Sequence, residues 1–248
     1  MKRLIQLLYF LYAALWFMVL LIPVFISSVI VSFGGAIRGG NLIYNICTAW
    51  ADAWFFLVGI RVRYVHETPK DESRSYIYVA NHIAYLDAAL LVKAVRKPLR
   101  PLGKSELGSI PVFGFIYRRA VVMVDRSSAK KRAESIDRMK AVLRKGISIL
   151  VFPEGTFNET HEPLKSFYDG AFRIALETGT PIKPMLFLDT YERMPYDRKL
   201  SLNPGRCRIV FLEEVPVQDE DTAASLRDRV YAQMEAAILR YQPSWVNK

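Results

Sequence analysis

The most prominent feature of the chain is a long uncharged segment near its start. After Arg3 the next charged residue is Arg38, and most of the positions between them are large and apolar. A signal peptide has an apolar region of only ~7–15 residues, and a single transmembrane helix needs ~20. Because Pro23 makes a bend inexpensive, the pattern predicts a kinked helix or helical hairpin over 4–33, embedded in one face of the bilayer. A single-span anchor is the alternative.

A second helix follows, over residues 39–60. Apolar residues recur there at steps of three or four, which is typical of a helix with a wide apolar face. This face is expected to cover the core or to rest on lipid. The residues that form it are Leu42, Ile43, Ile46, Trp50, Trp54 and Leu57.

From Arg61 onward, short apolar runs alternate with amphipathic stretches. The runs are β-branched or aromatic and are bounded by glycine, proline or charge, which favours strands. We predict strands over 62–66, 76–80, 120–124, 147–152, 182–188 and 208–212, and helices over 129–145 and through Leu226, Val230, Met234 and Ile238. The predicted fold class is therefore α/β, with a mixed, mostly parallel sheet flanked by helices and preceded by an N-terminal membrane-associated helical hairpin. Residues 1–58 form the membrane segment and 59–248 the second domain.

The net charge favours certain classes of binding partner. Lysine and arginine number 34 against 24 acidic residues, a net charge of +10, which favours an anionic membrane, a phosphorylated substrate or nucleic acid. Two cysteines exclude a cysteine-rich zinc site. The chain has no His-Glu-x-x-His pair, no Gly-x-Gly-x-x-Gly and no phosphate loop, and a nucleic-acid module is not recognisable.

Two polar turns follow predicted strands. Asn81 and His82 come directly after 76–80, and Asp87 then opens an apolar helix, so a histidine and a carboxylate can meet across the turn. Such a pair forms a general base, with Asp87 fixing the imidazole tautomer. The other turn, Phe152-Pro-Glu-Gly-Thr156, ends the strand at 147–152, where open α/β sheets bind ligands.

These residues resemble the glycerolipid acyltransferases, and most of all the bacterial 1-acylglycerol-3-phosphate acyltransferases. His82 and Asp87 match the His-x4-Asp motif, and Phe152 to Thr156 match Phe-Pro-Glu-Gly-Thr-Arg. Further matching blocks are Lys104 to Pro111, Val124 to Arg126, Gly170 to Phe172 and Thr180 to Pro184, in the family's order and spacing.

The resemblance implies transfer of a fatty acyl group to the free hydroxyl of lysophosphatidic acid, giving phosphatidic acid. The implied catalytic residues are His82, Asp87 and Lys104, the last for the oxyanion. The implied acceptor-binding residues are Asn81, Arg126, Glu154, Gly155 and Thr156. No metal or cofactor is expected; acyl-CoA or acyl carrier protein is the co-substrate, and the expected location is the cytoplasmic face of the inner membrane, with no nucleic-acid partner.

The chain departs from the family pattern at two positions. Phe157 replaces the arginine that contacts the acceptor phosphate, and Tyr168 replaces a common lysine. An apolar ring cannot replace a guanidinium at a phosphate, so Lys165 or Arg173 is a candidate for supplying charge. A lyso-ornithine or lyso-glycine lipid is the alternative acceptor. The alternative function of a different class is non-enzymatic: the protein would bind anionic lipid through the basic helix 129–145.

Overall fold

The computed structural model describes residues 2–71, 73–125, 128–198 and 200–246. Its first two helices, α1 (Lys2–Ser32) and α2 (Ala36–Leu57), form an antiparallel pair. The Trp54 indole N–H donates to the Ala13 carbonyl at 2.9 Å, and Phe17 packs edge-on against Trp50 with ring centroids 4.8 Å apart. Gly39 permits the close approach near the turn, because a Cβ there would lie 2.6 Å from the Val31 oxygen.

The hairpin is therefore present, but its predicted position within 4–33 is wrong. The chain passes through Pro23 in a single helix and reverses at residues 33–35, where Gly35 has φ 82°. The second arm of the hairpin is the helix predicted at 39–60. Residues Leu4–Ser32 are long and apolar enough to cross a membrane by length and composition.

A seven-stranded sheet follows the hairpin. The strands are β1 Ile60–His66, β2 Ile77–Ala80, β3 Leu99–Lys104, β4 Val122–Val124, β5 Ser148–Val151, β6 Ile182–Phe187 and β7 Gly205–Phe211. Their spatial order is β1-β7-β6-β2-β5-β3-β4, and every neighbouring pair is parallel except β6 with β7. The mixed, mostly parallel α/β fold predicted from the sequence is confirmed.

Helices cover both faces of the sheet. On one face, α2 and α3 (Asp87–Ala94) bury a cluster that includes Leu90, Met185 and Ile209. On the other face, the long C-terminal helix packs on Ile182 and Val210. Beyond the hairpin, the helices are α3 Asp87–Ala94, α4 Phe113–Ala120, α5 Ala129–Leu143, α6 Gly170–Thr178, α7 Thr190–Arg193 and α8 Ala223–Tyr241, with a short 3-10 helix at Ser105–Ser109.

One internal strand, β3, was missed by the sequence analysis. Pro101 argues against a strand because it has no N–H for the ladder. The structure accommodates it because pairing changes sides there: Leu99 to Pro101 pair with β5, and Leu102 to Lys104 pair with β4. The predicted strand at 120–124 begins later than expected, since Ala120 ends α4.

Candidate active site

The candidate site lies where β2 and β5 end. Val79 is in register with Val151 in this parallel pair, so the residues that follow each strand emerge side by side at one edge of the sheet. His82 therefore lies beside the turn that contains Glu154. The backbone confirms this contact, because the Asn158 N–H donates to the His82 carbonyl at 2.7 Å.

His82 and Asp87 form a close pair. The imidazole Nδ1 lies 2.8 Å from Asp87 Oδ2. The same oxygen accepts the backbone N–H groups of Ile83 and Ala84 at 2.8 and 2.9 Å, and the carboxylate is fully buried at the first residue of α3. Three donors thus fix the carboxylate, and the carboxylate fixes the imidazole with Nε2 facing away from it.

Aromatic rings hold the imidazole in place. Phe152 stacks on His82 with centroids 4.1 Å apart and 16° between the planes, while Phe157 approaches edge-on. The His82 side chain remains 18% exposed. A ring held on its faces and at Nδ1 has one nitrogen, Nε2, left to take a proton from a bound hydroxyl.

Glu154 ties the two turns together. Its Oε1 accepts the His82 N–H at 2.9 Å, and its Oε2 accepts the Lys165 N–H at 3.1 Å. Burial raises the pKa of Glu154 to about 8; the charge of Asp87 adds to this shift, and the two N–H donors oppose it. The resemblance implied that Glu154 binds the acceptor. The side chain is buried and both of its oxygens accept backbone N–H groups, and its role in acceptor binding stays a prediction.

The side chain of Asn81 is also bonded to the backbone. It is fully buried, its amide donates to the Phe187 carbonyl at 3.1 Å, and its Oδ1 accepts the Phe187 N–H at 2.8 Å. The acceptor-binding role expected for this side chain stays a prediction. Asn81 joins the end of β2 to β6 and so fixes the backbone from which His82 projects.

Gly155 and Thr156 lie on the outer side of the turn. Gly155 has φ 75°, a backbone conformation that favours glycine. Thr156 is exposed, and its Oγ1 accepts a hydrogen bond from the Lys165 ammonium at 2.8 Å. Thr156 therefore presents an exposed hydroxyl that is bonded to the Lys165 ammonium.

Lys104, another predicted site residue, lies farther along the same edge. Lys104 is exposed at the end of β3, two strands from β2, which is ~10 Å at ~4.8 Å per strand. Within the part of the chain described here, no hydrogen bond or ion pair joins it to His82 or Asp87. Arg126 lies outside the described residues, two positions after β4.

Sequence reasoning missed an aromatic contribution from distant loops. The Phe157 ring packs against Tyr85 at 4.8 Å and against Tyr196 at 6.4 Å between centroids. Tyr196 arrives through a bridge between Ala84 and Pro195. No spacing in the sequence indicates this bridge, because Ala84 and Pro195 are more than a hundred residues apart.

The described residues contain no candidate metal site. Among those residues, no three histidine, cysteine, aspartate or glutamate side chains converge in a way that could hold a metal ion. The expectation that no metal is required stays a prediction.

Comparisons with known proteins agree with the motif reading. Residues 60–188 match the family described as Acyltransferase. The 1-acyl-sn-glycerol-3-phosphate acyltransferase of Salmonella typhimurium is 30% identical over 73% of this chain and 74% of its own length. The enzyme of that name from Cocos nucifera is 36% identical over 75% of this chain and 58% of its own. The chain spans 39% to 61% of the length of four plant and algal relatives.

A solved structure shares the fold. The 1-acyl-sn-glycerophosphate acyltransferase from Thermotoga maritima superposes with a TM-score of 0.79, covering 98% of both chains at 23% identity. The agreement extends over the hairpin as well as the sheet, since nearly the whole of each chain is covered.

Proposed function

This chain belongs to the Acyltransferase family, and we propose that it transfers a fatty acyl group from a thioester to the free hydroxyl of lysophosphatidic acid, forming phosphatidic acid. The observation that carries the proposal is the His82–Asp87 pair, with Nδ1 and Oδ2 2.8 Å apart. A protein that only binds a membrane surface has no use for such a pair. The names of the curated relatives support the same acceptor.

In the proposed reaction, His82 Nε2 removes the proton from the acceptor hydroxyl as its oxygen attacks the thioester carbonyl. Asp87 keeps the proton on Nδ1 and stabilises the imidazolium. The tetrahedral intermediate then expels the thiolate, which takes the proton back from Nε2. We assign Lys104 to the oxyanion, and the reaction needs no cofactor beyond the acyl-CoA or acyl carrier protein co-substrate.

The acceptor phosphate needs a cation near Thr156. Phe157 cannot provide one, whereas the Lys165 ammonium is 2.8 Å from the Thr156 hydroxyl. Ammonium groups bind phosphate as point charges. We therefore assign the phosphate to Lys165 together with Arg126.

The hairpin explains how a lipid acceptor reaches the site. Leu8, Leu15, Met18 and Ile22 lie on an exposed face of α1, and an apolar surface of this size marks a membrane or protein interface. Asp52 of α2 is bound by Lys93 and Arg96 of the sheet domain, so the hairpin and the domain are tied together. We place the hairpin in one leaflet, with the domain on the cytoplasmic face where the thioester donors are made.

A lyso-aminolipid is the second candidate acceptor. Phe157, Tyr85 and Tyr196 form an aromatic wall beside His82, and aromatic faces attract ammonium groups. This wall favours a head group with an amine over one with a bare phosphate.

One assay decides between the acceptors. Purified protein in detergent is given acyl-CoA or acyl carrier protein with lysophosphatidic acid, lyso-ornithine lipid or monoacylglycerol, and the products are identified by mass spectrometry. Phosphatidic acid formation with the highest kcat/KM supports the proposal. A higher kcat/KM on a phosphate-free acceptor, or no transfer to any acceptor, overturns it.

A further inference from the structure

A basic groove of about 510 Å³ lies at the amino ends of β1 and β7. Its charged lining consists of Arg61, Arg63 and Arg206; the remaining wall includes Gly59, Pro204 and Gly205. Because β7 is antiparallel to β6, both β7 and β1 run opposite to β2. The amino ends of β1 and β7 therefore lie at the same edge of the sheet as His82.

The arginines project from the sheet face that points away from the hairpin. In β1, Val62 packs into the cluster under α2 and α3, and the Tyr64 hydroxyl donates to the Lys93 carbonyl in α3. Side chains alternate along a strand, so Arg61 and Arg63 are on the opposite face. Arg206 shares that face because it is in register with Arg61.

Among the described residues, these three guanidinium groups have no acidic partner. No carboxylate pairs with Arg61, Arg63 or Arg206 in the described ranges, and nearby Asp189 and Glu192 are bonded to Arg208 and Arg193. Like charges directly opposite on neighbouring strands destabilise a sheet. A bound anion relieves that repulsion, and guanidinium groups bind phosphate with two parallel hydrogen bonds.

We propose that this groove binds the phosphate of the phosphopantetheine arm of the thioester donor. The inference rests on the proposed acyl transfer. β1 is three strands from β2, which is ~14 Å at ~4.8 Å per strand. About thirteen bonds separate the thioester sulfur from that phosphate, which equals roughly four peptide residues or ~15 Å when extended. An extended arm is therefore about as long as the lateral distance from β1 to β2, the strand that His82 follows.

The position of the groove favours a soluble donor over the bilayer. The exposed apolar face of α1 belongs to the hairpin, and the arginines lie on the other face of the sheet. Coenzyme A and acyl carrier protein share the phosphopantetheine phosphate, so the groove serves either donor, and the two are separate arms of the test.

The test uses full-length protein with the double variant Arg61→Gln/Arg206→Gln. Arg74→Gln is the matched control, because Arg74 is a half-exposed arginine that precedes β2 at the opposite edge. Initial rates are measured with acyl-CoA, with acyl carrier protein and with a phosphate-free acyl-pantetheine. Free coenzyme A binding is measured by calorimetry, and binding to phosphatidylglycerol vesicles by sedimentation.

We expect the double variant to raise the KM for acyl-CoA about ten- to a hundredfold and to weaken coenzyme A binding equally, with kcat and the acceptor KM unchanged. Acyl-pantetheine kinetics should not change.

An effect on acyl carrier protein alone identifies the carrier as the donor and still supports the groove. Unchanged KM for both phosphorylated donors, or an equal rise with acyl-pantetheine, overturns the proposal, as does a loss confined to vesicle binding. If the wild type acylates no acceptor, the proposed function fails, and calorimetric binding of coenzyme A and of acyl carrier protein still tests the groove: unchanged binding of both by the double variant overturns it.

Discussion

The ring of Phe157 lies edge-on to the imidazole of His82, with centroids 4.4 Å apart and 68° between the planes. The residue that departs from the family pattern is therefore in direct contact with the candidate base. The residue at position 157 therefore affects both the surroundings of the His82 imidazole and the charge beside the acceptor.

Replacing Phe157 tests which acceptor the site takes. For lysophosphatidic acid, Phe157→Arg should preserve or raise kcat/KM, because a charged hydrogen bond to phosphate is worth ~1.5–3 kcal/mol. For a lyso-aminolipid it should lower kcat/KM, because the added cation faces an amine. Phe157→Leu is the control, since it removes the ring contacts without adding charge. A higher kcat/KM of Phe157→Arg on the lyso-aminolipid would contradict the expected repulsion between the added cation and the amine.

His82→Ala should reduce kcat by ~10²–10⁴, the contribution of a positioned general base. The fold should persist, because the side chain is partly exposed and its loss leaves Phe152 packed on Phe187. His66→Ala is the matched control, a histidine that also stacks on a phenylalanine but lies at the far end of β1. Turnover of purified His82→Ala close to that of the wild type would remove His82 from the mechanism.

Asp87→Asn should also lower kcat by ~10²–10⁴, because an amide cannot hold the same imidazole tautomer or stabilise the imidazolium. The pH profile of kcat/KM should change as well, which a purely structural role would not cause. Asp52→Asn, at the contact between the hairpin and the domain, is the control. Equal activity of Asp87→Asn and wild type would exclude the pair as the base.

Glu154 predicts a pH-dependent stability. Its pKa is about 8 in the folded protein, against 4.5 ordinarily, so the folded state keeps a proton that the unfolded state loses. The contribution of this proton to the free energy of unfolding is fully present below pH ~4.5. It declines by ~1.4 kcal/mol per pH unit as the pH rises towards 8. Urea unfolding from pH 5 to 8 should show a shallower decline for Glu154→Gln than for wild type. Exposed Glu177→Gln should keep the wild-type slope.

Charges on the outer face of α1 should release the protein from membranes. Leu8→Glu and Leu15→Glu alter exposed positions of α1, so the fold should persist while vesicle binding falls. Leu239→Glu, at an exposed position of α8, is the control. Undiminished sedimentation of Leu8→Glu/Leu15→Glu with vesicles at high salt would show that the attachment lies elsewhere.

The features that depend on local spacing could be inferred from the amino-acid sequence. Alternating apolar runs predicted six of the seven strands, and a histidine five residues before a carboxylate predicted the His82–Asp87 pair. One turn at a strand end brings these two residues together, so no distant contact was needed to infer them. The residues that match the family motifs could be named for the same reason.

Tertiary structure alone decided the features that depend on distant partners. The hairpin reverses at 33–35 because α1 packs on α2 along its length, and Pro101 fits β3 because the strand changes partners there. The side chains of Asn81 and Glu154 accept hydrogen bonds from the backbone of Phe187 and Lys165, which come from later in the chain. The antiparallel pairing of β6 with β7 brings Arg61 and Arg206 to the edge that carries His82, because strand direction is fixed by packing across the whole sheet.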